Sequence, residues 1–131
     1  MERSGVGSAV EAFARALGGA GAEAVEAYLD ADTLVHMPGG SGLAGDYHGA
    51  EAISGLLDRM TAASEGTLRF EGVCTTAGSG SDVRLCGWLL GERDHRALCT
   101  TASVEAHVAG ETIREAWLTC TDQPAWDRFW A

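Results

Sequence analysis

His36 stands two residues ahead of Pro38, where an apolar run gives way to a glycine-rich loop. A neutral imidazole is the side chain best suited to moving a proton near pH 7. Two uses are open to it: proton transfer or ligand contact at the rim of a pocket, or a hydrogen bond to backbone that holds the Pro38–Gly42 turn. Tyr47 lies in the same loop, which runs from Pro38 to Gly49 and holds five glycines. Its hydroxyl could donate to a ligand oxygen, or its ring could cap the pocket with the hydroxyl in water, the use favoured here. The flanking Asp46 and His48 are expected in solvent. Asp122 is the one late acid placed to serve as a general base, and a cap for the segment opening Gln123-Pro124 competes with that use. The catalytic expectation is that His36 transfers the proton and Tyr47 or Asp122 assists.

Side chains two apart on a strand share a face. Glu105 and His107 are such a pair, alternating with Ala102, Val104, Ala106 and Val108. The apolar set is the better pocket wall, which sends Glu105 and His107 outward. Glu115 and Trp117 likewise oppose Ala116, Leu118 and Cys120. With the apolar set inside, Trp88 and Trp117 lie on the outer sheet face, an apolar patch suited to a homodimer contact. With the phase reversed, the two indoles would stack on a ligand. Cys74, Cys86, Cys99 and Cys120 are 12, 13 and 21 residues apart with no C-x-x-C pair. That spacing argues against zinc, and reduced thiols used as small strand residues are expected.

These groups need elements to hold them. Ser8 to Leu17 puts Val10, Phe13, Ala14 and Leu17 on one helical face, with Ser8 and Glu11 spaced as a capping box. Gly18, Gly19 and Gly21 end that helix. A second helix is expected from Ala22 to Leu29, then a short β-prone run from Thr33 to Met37. A third helix near Ala50 to Ala62 buries Ile53, Leu56, Leu57 and Met60. Four strands follow, 67–77, 82–92, 96–109 and 112–121, with breaks at Gly78-Ser79-Gly80, Asp94-His95 and Ala109-Gly110-Glu111. Residues 122–130 read as a short terminal helix or tail. Helices first and an antiparallel meander second predict one α+β domain over 1–131.

Of the 131 residues, 46% are hydrophobic and 21% charged, as in a globular domain. Nineteen acids face nine arginines and no lysine, for a net charge of −10. A surface so acidic disfavours nucleic acid and anionic membrane as partners. The N-terminus carries acids early and lacks the apolar stretch of a signal peptide, and no apolar run approaches the ~18 residues of a membrane span. A cytoplasmic protein is expected.

Two stretches carry a family resemblance. One is Val35-His36-Met37-Pro38-Gly39 continuing through Leu43-Ala44-Gly45-Asp46-Tyr47-His48-Gly49. The other is Ile113-Arg114-Glu115-Ala116-Trp117, followed by Asp122-Gln123 and Ala125-Trp126-Asp127-Arg128-Phe129-Trp130. Together they resemble the SnoaL-like branch of the nuclear transport factor 2-like superfamily. The resemblance implies a cone-shaped α+β fold, three N-terminal helices on a curved, mainly antiparallel sheet of four to six strands enclosing a pocket. It also implies a homodimer through the outer sheet face. The superfamily spans isomerases, polyketide cyclases, dehydratases, epoxide hydrolases and non-catalytic binders. Its steroid-isomerase branch uses a Tyr and two Asp, whose places fall here at Phe13, Met37 and Val104; none of these can take a proton or stabilise an oxyanion, so isomerisation by that trio is not expected. What the resemblance implies is a cofactor- and metal-independent acid/base enzyme of secondary metabolism. It would cyclise, isomerise or dehydrate an apolar polyketide- or terpenoid-like substrate held by Phe13, Met37, Met60, Val104, Leu118, Cys120, Trp88 and Trp117. The alternative is a non-catalytic carrier of a small apolar molecule with the same fold.

Overall fold

In a computed structural model of the chain, the first apolar stripe folds as helix α1, Gly5–Arg15. The structure describes residues 5–40, 42–77 and 82–131, without the side chains of residues 5–8 and 73–77. The expected turn at Gly78-Ser79-Gly80 and the Cys74 thiol lie outside the described residues. Helix α1 begins at Gly5, so Ser8 sits within it and not at its cap. It buries Val10, Phe13 and Ala14, as the stripe predicts.

The chain then kinks through Ala16–Ala20, where Gly19 has φ of +96°. The kink lies tight against the start of the sheet. A Cβ on Gly18 would sit 2.6 Å from the Phe70 nitrogen, and one on Gly19 2.7 Å from the Leu68 oxygen. The second expected helix is two 3₁₀ turns, Ala22–Ala24 and Glu26–Tyr28. The physical reason is a weak segment: it is too short to nucleate well, it buries only Ala22 and Val25 fully, and Val25 itself leaves helical geometry.

Strand β1, Leu34–Met37, matches the β-prone run. The glycine-rich loop contains an unforeseen strand, β2, Gly45–His48, paired antiparallel with β1 so that Val35 faces Tyr47 and His36 faces Asp46. Helix α2, Ala50–Ala63, buries Ile53, Leu56, Leu57 and Met60. Strands β3 (Arg69–Ala77), β4 (Asp82–Arg93), β5 (Arg96–Ala109) and β6 (Thr112–Cys120) form the expected meander. Helix α3, Gln123–Trp130, ends the chain. Of the α-helices, two therefore precede the meander and one follows it.

The sheet order is β2-β1-β6-β5-β4-β3, antiparallel except where β1 runs parallel to β6. A parallel pair needs a crossover, and α2 with β3–β5 supplies it. The sheet is curved and unclosed. Its inner face alternates with its outer one along each strand: β5 turns Leu98, Thr100, Ala102, Val104, Ala106 and Val108 inward. On β6 the alternation slips at Arg114, where the register jumps from His107↔Glu115 to Val108↔Ile113. That bulge puts Ile113, Ala116, Leu118 and Cys120 on the inner face.

Much of the inner face is small: Gly87, Gly91, Ala102, Ala106 and Ala116. The helices bring the bulk. Phe13 comes from α1, and Trp126 and Phe129 from α3, all at most 1% exposed. Among the described residues no helix is long and apolar enough to cross a membrane. Gly19→Ala should lower stability by about 2 kcal/mol, because the left-handed backbone and the Leu68 carbonyl both resist a Cβ. A urea midpoint unchanged by that substitution would refute the account.

Candidate functional site

Strand β1 has only four residues, and its alternation decides where His36 points. Val35 and Met37 are buried on the inner face, so His36 faces outward. This corrects the expectation of a rim position on the pocket. On that outer face His36 is held between two carboxylates. Its Nδ1 lies 2.6 Å from Asp46 Oδ1 on β2, and its Nε2 2.6 Å from Glu115 Oε2 on β6. Trp117 stacks on the imidazole with ring centroids 5.4 Å apart and planes 18° from parallel.

A neutral imidazole has one N–H and one lone pair, so serving two carboxylates at once requires the imidazolium. The electrostatics agree. Partial burial lowers the His36 pKa, but the hydrogen bonds to Asp46 and Glu115, and their negative charges, outweigh it and hold the group above its ordinary 6.5. Asp46 is therefore a partner of His36 and not a merely solvated acid.

The cluster continues across the face. His107 meets Trp117 edge-on at 5.2 Å and pairs with Asp82 of β4. Arg84 binds Glu105 at 2.9 Å, which keeps the guanidinium charged above its usual range. Glu105 and His107 face outward as expected, each bound to a residue of β4 and not to one another. An open groove of about 530 Å³ runs between Arg84, Glu105, His107, Trp117 and Thr119. Trp88, on the same face, is 44% exposed and is the exposed large hydrophobic residue among those described.

Inside, the surroundings are different. Phe13 and Val104 keep no accessible surface, and Met60, Leu118, Met37 and Cys120 keep at most 5%. A side chain bordering a water-sized void would keep some. The interior is therefore filled at Phe13 and Val104 by the protein's own side chains. Cys120 stays a thiol there, because burial, and next the charge of Asp127, push its pKa up to about 12. Cys86 and Cys99 are free thiols on the outer side, Cys99 exposed.

Tyr47 turns inward from β2, and its hydroxyl donates to the Leu43 carbonyl at 2.9 Å. The Arg59 guanidinium lies 5.9 Å from its ring centre. Asp122 caps α3, accepting from the Ala125 N–H at 3.1 Å. His36, Tyr47 and Asp122 thus belong to three separate arrangements: the outer face, the β2 edge and the start of α3. The bulky inner wall does come together, and Trp88 and Trp117 stand opposite to it. Among the described residues no group of three or more His, Cys, Asp or Glu side chains is arranged to hold a metal ion.

Sequence reasoning missed Asp46 and Glu115 as the partners of His36. The signal was the pairing of β1 with β2, which sets Asp46 opposite His36, and a strand hidden in a glycine-rich stretch conceals that register. It also missed Arg93, whose Nε donates to the Ala63 carbonyl at 3.0 Å and whose guanidinium donates to the Phe129 carbonyl at 2.7 Å. One arginine ties the end of α2 to α3.

No protein-family model matches the chain, and no curated protein matches its sequence. Solved structures do match in shape. Bal32a, from a soil-derived mobile gene cassette, aligns with a TM-score of 0.85 at 21% identity, over 98% of this chain and 100% of that one. An NTF2-like protein of unknown function from Burkholderia pseudomallei K96243 aligns with a TM-score of 0.77 at 18% identity, over 97% and 95%. TerC, co-crystallized with polyporic acid, aligns with a TM-score of 0.74 at 16% identity, over 93% and 97%. Proteins with ketosteroid isomerase-like and SnoaL-like names are among the other matches. At these identities the likeness is one of fold, and the fold is NTF2-like.

The ring protons of His36 should titrate above pH 6.5, and Glu115→Gln should bring the midpoint down, as read by NMR. A group whose folded pKa is raised stabilises the fold fully below its unfolded value and loses that contribution as pH rises through the folded one. His36→Gln should flatten the stability curve in that window, above pH 6.5.

Proposed function

We propose that this domain binds a small, largely apolar molecule between its helices and the inner face of its sheet, and holds it without converting it. The observation that carries the reading is the chemistry of the interior. Among the described residues its buried polar side chains are Thr33, Ser64 and Thr100. Each donates its hydroxyl to a backbone carbonyl, those of Ile113, Thr61 and Thr101 respectively. With Cys120 kept as a thiol, none of these buried side chains takes up or releases a proton near neutral pH.

The wall suits a guest in other respects. Met37 and Met60 are unbranched and adapt to a new neighbour. Small residues such as Ala102, Ala106 and Ala116 leave room on the sheet for helix-borne side chains, the Phe13 ring among them. A ligand would enter by taking the place of such a ring. TerC, of the same fold, was co-crystallized with polyporic acid, which supports reading this interior as a ligand site.

An acid/base enzyme acting on a polyketide- or terpenoid-like substrate in the same space would need a proton-transfer group beside it. His36, Tyr47 and Asp122, the sequence's candidates, are each engaged elsewhere. A second reading, compatible with the first, is a homodimer through the outer sheet face. Its support is the exposure of Trp88 beside the charged groove.

Equilibrium dialysis against polycyclic aromatic ketones and sesquiterpenes tests the first reading, and sedimentation tests the second. Binding with unchanged ligand recovered is expected, weakened roughly tenfold or more by Cys120→Leu, which fills the interior. Trp88→Glu should leave binding intact and shift sedimentation toward the monomer. Product formation would overturn the non-catalytic reading. Failure of every compound to bind would overturn the interior site.

A further inference from the structure

Strand β2 is the outermost strand of the sheet at the end where β1 joins it, and among the described residues β1 is its one strand neighbour. It also covers the interior. Tyr47 on β2 and Leu43 just before it are partly buried against the core. Four pairings with β1 hold this strand, aided by the Gly49 N–H donating to the Thr33 carbonyl at 2.8 Å and by Arg59 over Tyr47. A further tie is His36, which reaches past its own strand in both directions. It links Asp46 of β2 to Glu115 of β6 across β1.

We propose that His36 is a proton-operated latch for β2: protonated, it ties the strand through β1 to β6, and deprotonated, it frees β2 to swing from the interior and admit an apolar ligand. The geometry gives the reason. Both ring nitrogens lie 2.6 Å from a carboxylate oxygen, so loss of the proton sets a lone pair against one carboxylate at that distance. One carboxylate must then withdraw. The Asp46 side chain is 70% exposed and Glu115 34%, so water solvates the departing Asp46 more readily, and Asp46 is the one carried by β2. The carboxylate that leaves is the one that releases the strand.

The surroundings of His36 leave the imidazolium as the controlling charge. From β6 it faces Glu115 and the neutral ring of Trp117. From β2 it faces Asp46, with His48 next outward along the same strand. His107 of β5 reaches Trp117 from beyond and is hydrogen-bonded to Asp82 of β4. Arg114 stands at the bulge beside Glu115 and is exposed. Among the described residues, neither Asp46 nor Glu115 has an ion pair with any cation but His36.

Entry of the ligand rests on the interior-binding reading; release of the strand does not. The first measurement is therefore amide hydrogen exchange of the whole chain at about pH 5.5 and about pH 8.5, corrected for the intrinsic pH dependence. Protection of the β2 amides should fall roughly tenfold or more relative to β4 and β5. His36→Gln should abolish that dependence, and Asp46→Asn, which removes the repulsion while keeping a hydrogen-bonding group, should shrink it. Equal β2 protection at both pH values, or the same loss in His36→Gln, overturns the latch. The second measurement is the association rate of 9-fluorenone, expected to rise with pH in the native chain and to be level in His36→Gln. Strand release with fluorenone entering equally fast at both values overturns the entry role of β2. Strand release with no fluorenone bound at either value supports the latch and overturns the interior site.

Discussion

A sheet with small residues on its inner face cannot bury itself; something must fill the space it leaves. Gly87, Gly91, Ala102, Ala106 and Ala116 set that condition here, and α1 and α3 meet it with Phe13, Trp126 and Phe129. The closeness is visible at Gly91, where a Cβ would sit 3.2 Å from the Phe129 ring. The other fastenings keep α3 seated. Asp122 caps its first turn, Asp127 accepts from the Gly40 N–H, and Arg93 and Arg96 hold the carbonyls of Phe129 and Ala131. Removing a buried ring of this size costs about 3–5 kcal/mol, comparable to much of a small domain's net stability.

The two faces of the sheet divide the protein's chemistry between them. The inner one is apolar and buried, with the hydroxyls of Thr33, Ser64 and Thr100 bonded to backbone. The outer one gathers ionisable groups into pairs, Asp46–His36–Glu115, Asp82–His107 and Arg84–Glu105, around Trp117. With a chain carrying a net charge of −10, such pairing limits repulsion among the acids on one surface. It also explains why the paired ionisable groups stand away from the interior: strand alternation sends them to the other side.

That alternation was legible where strands are long. Along β5 the sequence separates Val104 and Ala106 from Glu105 and His107 without help, and along β6 it separates Leu118 and Cys120 from Trp117. The stripe of α2 was equally plain. Short elements were not. Four residues of β1 carry too little pattern to place His36, and β2 is built from Gly45, Asp46, Tyr47 and His48, residue types that read as loop. Its strand character comes from pairing with β1, a tertiary cause that no local propensity records. The segment from Ala22 to Leu29 failed in the opposite way: good helix formers were overruled by the glycine turn before them and by having little to bury.

The four tryptophans fall two to each side of this division. Trp126 and Trp130 meet edge-to-face at 5.5 Å within α3, and each has a buried indole N–H without an acceptor among the described residues. Trp88 and Trp117 stand outside, one in solvent and one against the ring of His36. The chain is thus built with native optical probes of both surfaces. Emission from Trp117 should follow the ionisation of the imidazole stacked on it, whereas emission from Trp126 and Trp130 should follow the packing around α3, so one spectrum can report on the two sides of the sheet.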